Sequence, residues 1–504
     1  MFLPRGFKDP VWLLEKIKKE PEVYWIRRGE RRVLQLFHAM AERVPAYKDF
    51  LRKNKINQLT IKTITDFKKV PLISKENYLK KYDLARLCWD GKLKNGGSWT
   101  ISSTSGSTGE PFYFPRQEAQ DWQYAVVAEM YLRENYQIHK QSTLYIDAFP
   151  MGPWIGGVFT YQAIRMVAAR GDYDLSIITT GIDKDEIIKA VLKFGKLFDQ
   201  IIIGCYAPFL KDAIDEGIGR GVKWRKYKLG FIFSAEGFSE TFRDYIVAKT
   251  GLTRPYRDTL NHYGTVDLGT MAHETPLSIM LRRVAVKKKN FYRALFGDIY
   301  KLPTFCQYIP ELFYFEDLAG NLVCSGYSGL PLARYDLKDH GGVITLEEVM
   351  NRCHESGINF MELTKEKGID NAIWQLPFVF VYERSDFSVS LYSFQIYSET
   401  VRKALQHVSL HKSVTGKFVM MVKYNEQQNQ YLEINVELMP GVKESKKLED
   451  MIVKLVVEFL LRENSEYAET FKTRSNRIIP KIVFWPHGDP EHFRPGIKQK
   501  WVKK

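Results

Sequence analysis

The sequence has few cysteines and no long apolar run. Its five cysteines are scattered over 504 residues, and none forms a CxxC pair or a zinc-like spacing with histidine. This pattern argues against a disulfide framework and predicts free thiols in a reducing compartment, the cytoplasm. The first residues, MFLPRGFKDPVW, carry proline and charged residues where a signal peptide needs an apolar core, so we expect no secretion.

The composition bounds the class of protein. The most apolar stretch, residues 148–169, is interrupted by prolines, a glycine and an arginine, so we expect no membrane span. A hydrophobic content of 45% and a charged content of 26% are those of an ordinary globular protein. A length of 504 residues exceeds the size at which a single hydrophobic core stops growing, so we expect at least two domains. The net charge of +15 favours anionic partners. Because no basic stretch is interleaved with aromatic residues, nucleic acid is not among the expected partners.

One stretch, WTISSTSGSTGEPFYF at residues 99–114, is rich in hydroxyl groups and glycine between two strand-like runs. Glycine lets backbone N–H groups turn toward an anion, and hydroxyl groups donate further hydrogen bonds to phosphate. The pattern therefore predicts a phosphate-binding loop, although a surface turn or linker has the same composition. It is not the GxxxxGK[ST] loop, because it has no lysine and a strand follows. The candidate residues are Thr104, Ser105, Gly106, Ser107, Thr108 and Gly109.

After this loop, apolar patterns typical of strands alternate with patterns typical of helices. Short apolar runs at residues 144–149, 176–180, 201–205 and 229–234 predict strands, and residues 183–198, 209–217 and 239–250 predict helices between them. Such alternation predicts a parallel sheet that binds its ligands at the carboxyl ends of the strands. Helix and strand patterns at residues 399–485 predict a further small α/β domain.

Several motifs occur in the order found in a known superfamily. The loop, NHYGTVD at 261–267, SGLPLARYDLKDHG at 328–341, ERSD at 383–386, VSLYSFQIYSE at 389–399 and RPGIKQK at 494–500 resemble adenylate-forming enzymes, the acyl-CoA synthetase superfamily. The likeness is greatest to the phenylacetate-CoA ligase branch with its capsular-polysaccharide-biosynthesis relatives, and ERVPAYKDFL and FKKVPLISKENY belong to it. The resemblance implies an α/β fold with mixed and parallel sheets: an adenylate-forming domain at 1–383 and a small mobile domain at 384–504.

The resemblance also implies roles for particular residues. Asp267 would hold Mg²⁺, Asp339 would accept hydrogen bonds from the ribose hydroxyls, and Lys498, with Lys500 as the alternative, would reach the α-phosphate. His262 belongs to the motif and is a candidate nucleotide or metal contact, but a lone histidine more often has a stacking or core role. The remaining nucleotide-binding residues would be the loop, Ala235, Glu236, Gly237, Tyr263, Gly264, Thr265 and Arg384, with Asp386 at a hinge and Phe149, Trp154 and Tyr206 lining an acid pocket.

The activity implied by the resemblance uses ATP and Mg²⁺ to convert a small carboxylic acid into an acyl-adenylate, which then passes its acyl group to CoA. Three departures from the family pattern bear on it: Phe112 after the loop proline, Val266 in place of a hydroxyl residue, and Ser393 in place of a glycine beside the CoA arm. An amine or hydroxyl acceptor therefore stays open. A basic binding protein that retains the fold without catalysis is a second alternative.

Overall fold

The computed structural model describes residues 4, 6–94, 97–103, 112–153, 155–235, 237–297, 302–382, 388–391, 394–424, 430–464, 467–468, 471–472, 478–493 and 501–502. The chain divides into two compact units. The first unit comprises Met1–Gly237, Val247–Gly297 and Thr304–Val381, and the second comprises Phe238–Ile246, Asp298–Pro303 and Tyr382–Lys504.

The helices are distributed over the whole described chain. They are α1 (Pro10–Lys19), α2 (Glu22–Arg43), α3 (Pro45–Lys53), α4 (Ile64–Phe67), α5 (Leu84–Leu87), α6 (Glu118–Tyr136), α7 (Ile155–Gly171), α8 (Lys184–Phe194), α9 (Ala207–Gly219), α10 (Glu240–Thr250), α11 (Pro255–Asp258), α12 (Pro276–Lys287), α13 (Lys289–Phe296), α14 (Leu346–Glu355), α15 (Phe360–Glu366), α16 (Ser398–Leu405) and α17 (Lys446–Glu463). None of the described helices is both long and apolar enough to cross a lipid bilayer.

The strands are β1 (Thr100–Ser103), β2 (Tyr113–Arg116), β3 (Thr143–Ala148), β4 (Leu175–Thr179), β5 (Gln200–Cys205), β6 (Leu229–Phe233), β7 (Thr259–Thr265), β8 (Gly269–His273), β9 (Thr304–Gln307), β10 (Phe313–Leu318), β11 (Asn321–Gly326), β12 (Leu332–Ile344), β13 (Phe378–Val381), β14 (Ser388–Leu391), β15 (Phe394–Tyr397), β16 (Val414–Tyr424), β17 (Gln430–Leu438) and β18 (Lys481–Trp485).

The first unit is built on an 11-stranded mixed sheet in the order β10-β11-β12-β13-β9-β8-β7-β6-β5-β3-β4. Strands β4, β3, β5, β6 and β7 are parallel, and the strands from β7 to β10 pair antiparallel. The predicted α/β fold is therefore confirmed. Strands β3 to β6 match the predicted apolar runs to within one residue. β3, β5 and β6 are buried along their whole length, as expected for inner strands of a parallel sheet, whereas the edge strand β4 is partly exposed.

Side-chain chemistry explains where several helices begin. Pro45 ends α2 and opens α3, because proline has no N–H to continue a helix and fits the first turn. The carboxylate of Asp183 accepts from two backbone N–H groups at the start of α8. The Ser239 hydroxyl accepts from the N–H of Phe242 at 3.1 Å and caps the start of α10.

The second unit has its own core. Strands β16, β17 and β18 form a three-stranded sheet, β14 and β15 form a hairpin, and α16 and α17 supply apolar residues to the same cluster. Near the C-terminus, the Trp501 carbonyl accepts from the Met420 N–H at 2.8 Å, and the Trp501 ring packs 4.8 Å from Phe418. The Arg402 guanidinium lies 4.3 Å from the Trp501 ring. Trp501 is therefore anchored on β16.

The five cysteines all lie in described ranges, and all of them are buried. None forms a disulfide, as predicted. Burial raises the pKa of the Cys88 and Cys353 thiols to about 12, and that of Cys324 well above the usual value. The thiols are therefore protonated at neutral pH.

Candidate functional site

The carboxyl ends of the parallel strands gather several predicted site residues at one edge of the sheet. β6 ends at Phe233, which pairs with Asn261 of β7, so Ala235 follows on the edge that Tyr263 also reaches. Ala235 is exposed and has φ +74°, in the left-handed region that residues with a Cβ seldom adopt. Such an outlier at a strand end is typical of functional sites.

Asp267 lies in the tight turn between β7 and β8. Gly264 allows the two strands of this hairpin to lie close together, because a Cβ at position 264 would be only 2.6 Å from the Gly269 carbonyl oxygen. The Thr265 hydroxyl accepts from the Leu268 N–H at 3.3 Å and closes the turn. Asp267 itself is only 2% exposed, so its carboxylate is held in one position at the strand edge.

A segment from the N-terminal part of the first unit docks beside this turn. Ile73 donates to the Arg334 carbonyl at 3.0 Å and accepts from the Asp336 N–H at 2.9 Å, so residue 73 pairs with Tyr335 of β12 like a short parallel strand. The Arg334 guanidinium donates to the carbonyls of Lys68 and Val70 and pairs with a buried glutamate, Glu316, at 3.0 Å. Arg334, which lies in the SGLPLARYDLKDHG motif, therefore fixes this segment.

The docked segment brings a lysine to Asp267. The Nζ atom of Lys75 lies 3.8 Å from Oδ1 of Asp267. A turn holds Lys75 in place, because the Ser74 N–H donates to Asn77 Oδ1 at 2.7 Å and the Asn77 N–H donates to Ser74 Oγ at 3.2 Å. Lys75 is 28% exposed, so its ammonium group is within reach of a ligand as well as of Asp267.

Asp339 lies on β12 and is buried. The Tyr263 hydroxyl donates to Oδ2 of Asp339 at 2.7 Å, which joins two residues that the motifs predict for the nucleotide. The nearby Asp336 has a different environment, because it is less buried and pairs with the Lys338 ammonium at 2.6 Å. Of the two carboxylates in this motif, Asp339 is therefore the one at the predicted site.

His262 is not brought to this group. Neighbouring residues of a strand face opposite sides of the sheet, so His262 and Tyr263 point in opposite directions. The His262 ring packs 5.1 Å from Tyr131 and 6.2 Å from His273 in the interior. Burial lowers the pKa of His262 well below its usual value, so the ring is uncharged. These contacts match the core role that the sequence left open.

The two strands that flank the predicted phosphate loop are present. β1 and β2 pair antiparallel, with Ser103 opposite Tyr113, and the Ser103 N–H donates to the Pro153 carbonyl at 2.8 Å. The buried Arg116 supports the base of this hairpin, donating to the Ser102 hydroxyl at 2.9 Å and to Asp121 at 2.6 Å. The loop residues Thr104 to Gly109 lie outside the described residues.

Other predicted residues also lie outside the described ranges: Trp154, Glu236, Arg384, Asp386, Ser393, Lys498 and Lys500. Two residues of the predicted acid pocket are described and meet each other, because the rings of Phe149 and Tyr206 lie 5.8 Å apart edge to face. They follow β3 and β5, which are neighbours in the sheet.

The described residues around Asp267 fit the way proteins hold Mg²⁺. Magnesium usually binds through one or two carboxylates and completes its coordination with phosphate oxygens and water. Within the described ranges, no group of three or more acidic, histidine or cysteine side chains gathers at one point. Asp267 is thus a fitting single carboxylate for an ion that arrives with a nucleotide.

Comparison with models of known protein families found no match, and neither did comparison with curated protein sequences. Solved structures do match. A 2-hydroxyisobutyryl-CoA ligase in the postadenylation state in complex with 2-HIB-AMP aligns with a TM-score of 0.66 at 12% identity, over 97% of this chain and 91% of that chain. An acyl acid amido synthetase in complex with 2,4-DB aligns with a TM-score of 0.58 at 13% identity, over 96% and 91%.

The chain has the fold of the adenylate-forming ligases. The two-domain α/β architecture of this ligase fold is the one that the motifs implied. At these identities the likeness concerns the fold alone, so the chemistry of the site has to be argued from this chain's own residues.

Lys75 is a candidate site residue that sequence reasoning missed. It lies within FKKVPLISKENY, which contributed to the family resemblance without suggesting a role for its lysine. Only the pairing of Ile73 with β12 brings it to Asp267. A composition signal existed, since the phosphate loop has no lysine and a cation had to come from elsewhere.

We expect Lys75→Met to lower ATP–pyrophosphate exchange about tenfold, because a partly exposed cation that would stabilise phosphate charge is lost while the aliphatic stem still packs. Melting temperature should change little. Lys69→Met is the control, since Lys69 is an exposed lysine that pairs only loosely, at 3.6 Å, with Asp66. Equal exchange in both variants would exclude Lys75 from the site.

Proposed function

We propose that this protein activates a carboxylic acid with ATP and transfers the acyl group to CoA. In the first step a carboxylate oxygen attacks the α-phosphorus, the bond to the bridging oxygen of the β-phosphate breaks, and pyrophosphate leaves. In the second step the CoA sulfur attacks the acyl carbon, its proton is lost, and AMP leaves. The principal support is two contacts made by residues of β7 and of the turn after it, Lys75 with Asp267 and Tyr263 with Asp339.

Each described residue has a chemical task in this proposal. Asp339, held by the Tyr263 hydroxyl, has the carboxylate oxygens needed to accept from two vicinal ribose hydroxyls. Asp267 would hold Mg²⁺, which supplies charge neutralisation for the phosphates. Lys75 adds a cation beside them. Positioning and charge stabilisation are the main sources of rate acceleration in this kind of reaction.

Residues outside the described ranges complete the proposal. Thr104 to Gly109 would contact the phosphates, and Lys498 would approach the α-phosphate in the first step, with Lys500 as the alternative. The described residues that flank these two lysines in the sequence, Phe493 and Trp501, are both buried. Residues 384–504 are proposed to move as a domain about Asp386.

An amine acceptor is the second candidate. An acyl acid amido synthetase has the same fold as this chain. Ser393 also stands where the resembled branch has a glycine beside the CoA arm, which would narrow the path for a thiol. The first half-reaction is common to both candidates, so the acid-activating step can be tested before the acceptor is known.

The test is a screen of carboxylic acids for Mg²⁺-dependent pyrophosphate release, with hydroxylamine present to trap any acyl-adenylate as a hydroxamate. We expect at least one acid to give hydroxamate, and we expect CoA to replace hydroxylamine as acceptor. If amines but not CoA support turnover, the amide-forming alternative holds. If no acid in an aromatic and aliphatic library supports either release or ATP–pyrophosphate exchange, the proposed function is wrong.

A further inference from the structure

Asp147, at the carboxyl end of β3, has a buried carboxyl group that accepts a single hydrogen bond from the part of the chain that the structure describes. Its side chain is fully buried, and Oδ1 accepts from the Phe149 N–H at 3.3 Å. Oδ2 accepts no hydrogen bond from any residue in the described ranges. A buried polar atom without a hydrogen bond lowers the stability of the folded state, so its presence in a native protein calls for an explanation.

Among the described residues, none that bears on the titration of Asp147 is positively charged. The ionisable groups that face it are Tyr124 from α6, Tyr145 on the same face of β3, and Cys205 from β5, and each of these is neutral or anionic. The Tyr145 hydroxyl likewise makes no hydrogen bond within the described ranges. Burial raises the pKa of Asp147 to about 8, and only the Phe149 N–H opposes that rise.

Gly204 is a neighbour of both Tyr145 and Asp147. It lies in register with Asp147 on the neighbouring strand β5. A Cβ on Gly204 would meet the Tyr145 hydroxyl oxygen at 2.4 Å and the Phe149 ring at 3.0 Å. The Tyr145 hydroxyl and the Phe149 ring therefore meet at Gly204, which is in register with Asp147, and the Phe149 ring also packs against Tyr206.

The local backbone does not require this carboxyl group. The turn after β4 is held by the main-chain carbonyl of Asp147, which accepts from the N–H groups of Thr180 at 3.0 Å and Gly181 at 3.1 Å. That contact would persist with any side chain at position 147. The single side-chain bond to Phe149 could be made by serine or asparagine without an ionisable group.

We propose that Asp147 is a specificity-determining residue of the acid pocket, whose Oδ2 accepts a hydrogen bond from a hydroxyl or ammonium group carried by the carboxylic acid substrate. This inference rests on the proposed acid-activating function. A site built to bond such a donor rejects the analogue that lacks it, because the buried acceptor then stays without a partner. The substrate class is thereby narrowed to hydroxy or amino acids.

The test uses acids of matched skeleton: propionate, lactate and alanine, and hydrocinnamate, phenyllactate and phenylalanine, within the wider library. For each acid, ATP–pyrophosphate exchange and the shift in melting temperature by the acid alone are measured on the full chain. We expect kcat/KM with the donor-bearing acids to exceed that with matched donor-free acids by about tenfold or more. Asp147→Leu should remove or reverse this preference.

Asp147→Asn separates the two donors. The side-chain amide of this variant keeps a carbonyl acceptor but cannot carry a negative charge. The variant should therefore still support exchange with a hydroxy acid but no longer with an amino acid. The inference is overturned if the acids that the protein accepts lack a donor, or if Asp147→Leu keeps the preference of the unaltered chain. If no acid supports exchange, the proposed function fails. The melting shift then decides on Asp147 separately, according to whether stabilisation by a donor-bearing acid is lost in Asp147→Leu.

Discussion

The Asp267→Asn variant should lose ATP–pyrophosphate exchange by about 10³-fold, because the site would lose its carboxylate for a hard cation, an effect worth several kcal/mol. The amide has nearly the shape of the carboxylate, so the β7–β8 turn should persist and the melting temperature should change little. The exchange assay with varied Mg²⁺ checks this result, and excess Mg²⁺ should restore only part of the rate.

Two neighbouring aspartates provide matched variants for this experiment. Asp339→Asn should raise the KM for ATP, because the substitution alters both the hydrogen bond from the Tyr263 hydroxyl and the proposed acceptor for the ribose hydroxyls. Asp336→Asn should leave both kcat and KM unaltered, because Asp336 pairs with Lys338 away from Tyr263. If Asp267→Asn folds normally and exchanges at the rate of the unaltered protein, Asp267 does not hold the metal.

Asp147→Asn should make the protein more stable at high pH, whatever the protein does. The pKa of the Asp147 carboxyl is about 8 in the folded state and lower in the unfolded chain. Between about pH 4 and pH 8 the unfolded chain gives up this proton while the folded protein keeps it, so rising pH lowers the free energy of unfolding. Each pH unit costs about 1.4 kcal/mol, or about 4 kcal/mol from pH 5 to pH 8.

The measurement is the free energy of unfolding by urea at pH 5, 6, 7 and 8. The difference between Asp147→Asn and the unaltered chain should grow in favour of the variant as pH rises. Asp90→Asn is the control, because the hydrogen bond from the Arg43 guanidinium lowers the pKa of the Asp90 carboxyl. For this aspartate the difference in the free energy of unfolding should not grow in favour of the variant as pH rises. A pH-independent difference for Asp147→Asn would mean that its carboxyl titrates normally.

The sequence predicted the parallel half of the sheet better than the rest. Strands β3 to β6 are apolar runs with helices between them, so each strand is recognisable locally and its neighbour follows along the chain. The antiparallel half depends on pairings such as β13 with β9 and β12, which join distant parts of the chain. Local periodicity carries no information about those partners.

The same limit explains which site residues were predictable. Asp267 and Asp339 occur inside motifs, so the resemblance identified them. Lys75 comes to the site only because Ile73 pairs alongside β12, a contact across most of the first unit. For His262 and Tyr263, the strand period shows that only one of them can face the site. Which one it is depends on the packing of His262 against α6, which one-dimensional patterns do not give.

The burial of all five thiols makes this protein suited to fluorescent labelling without removal of any native cysteine. A maleimide reacts with accessible thiolate, and the five native thiols are all buried. Exposed lysines such as Lys189 in the first unit and Lys446 in the second could each be replaced by cysteine. A donor and an acceptor dye at these two positions would then report any change in separation between the units when ATP is added.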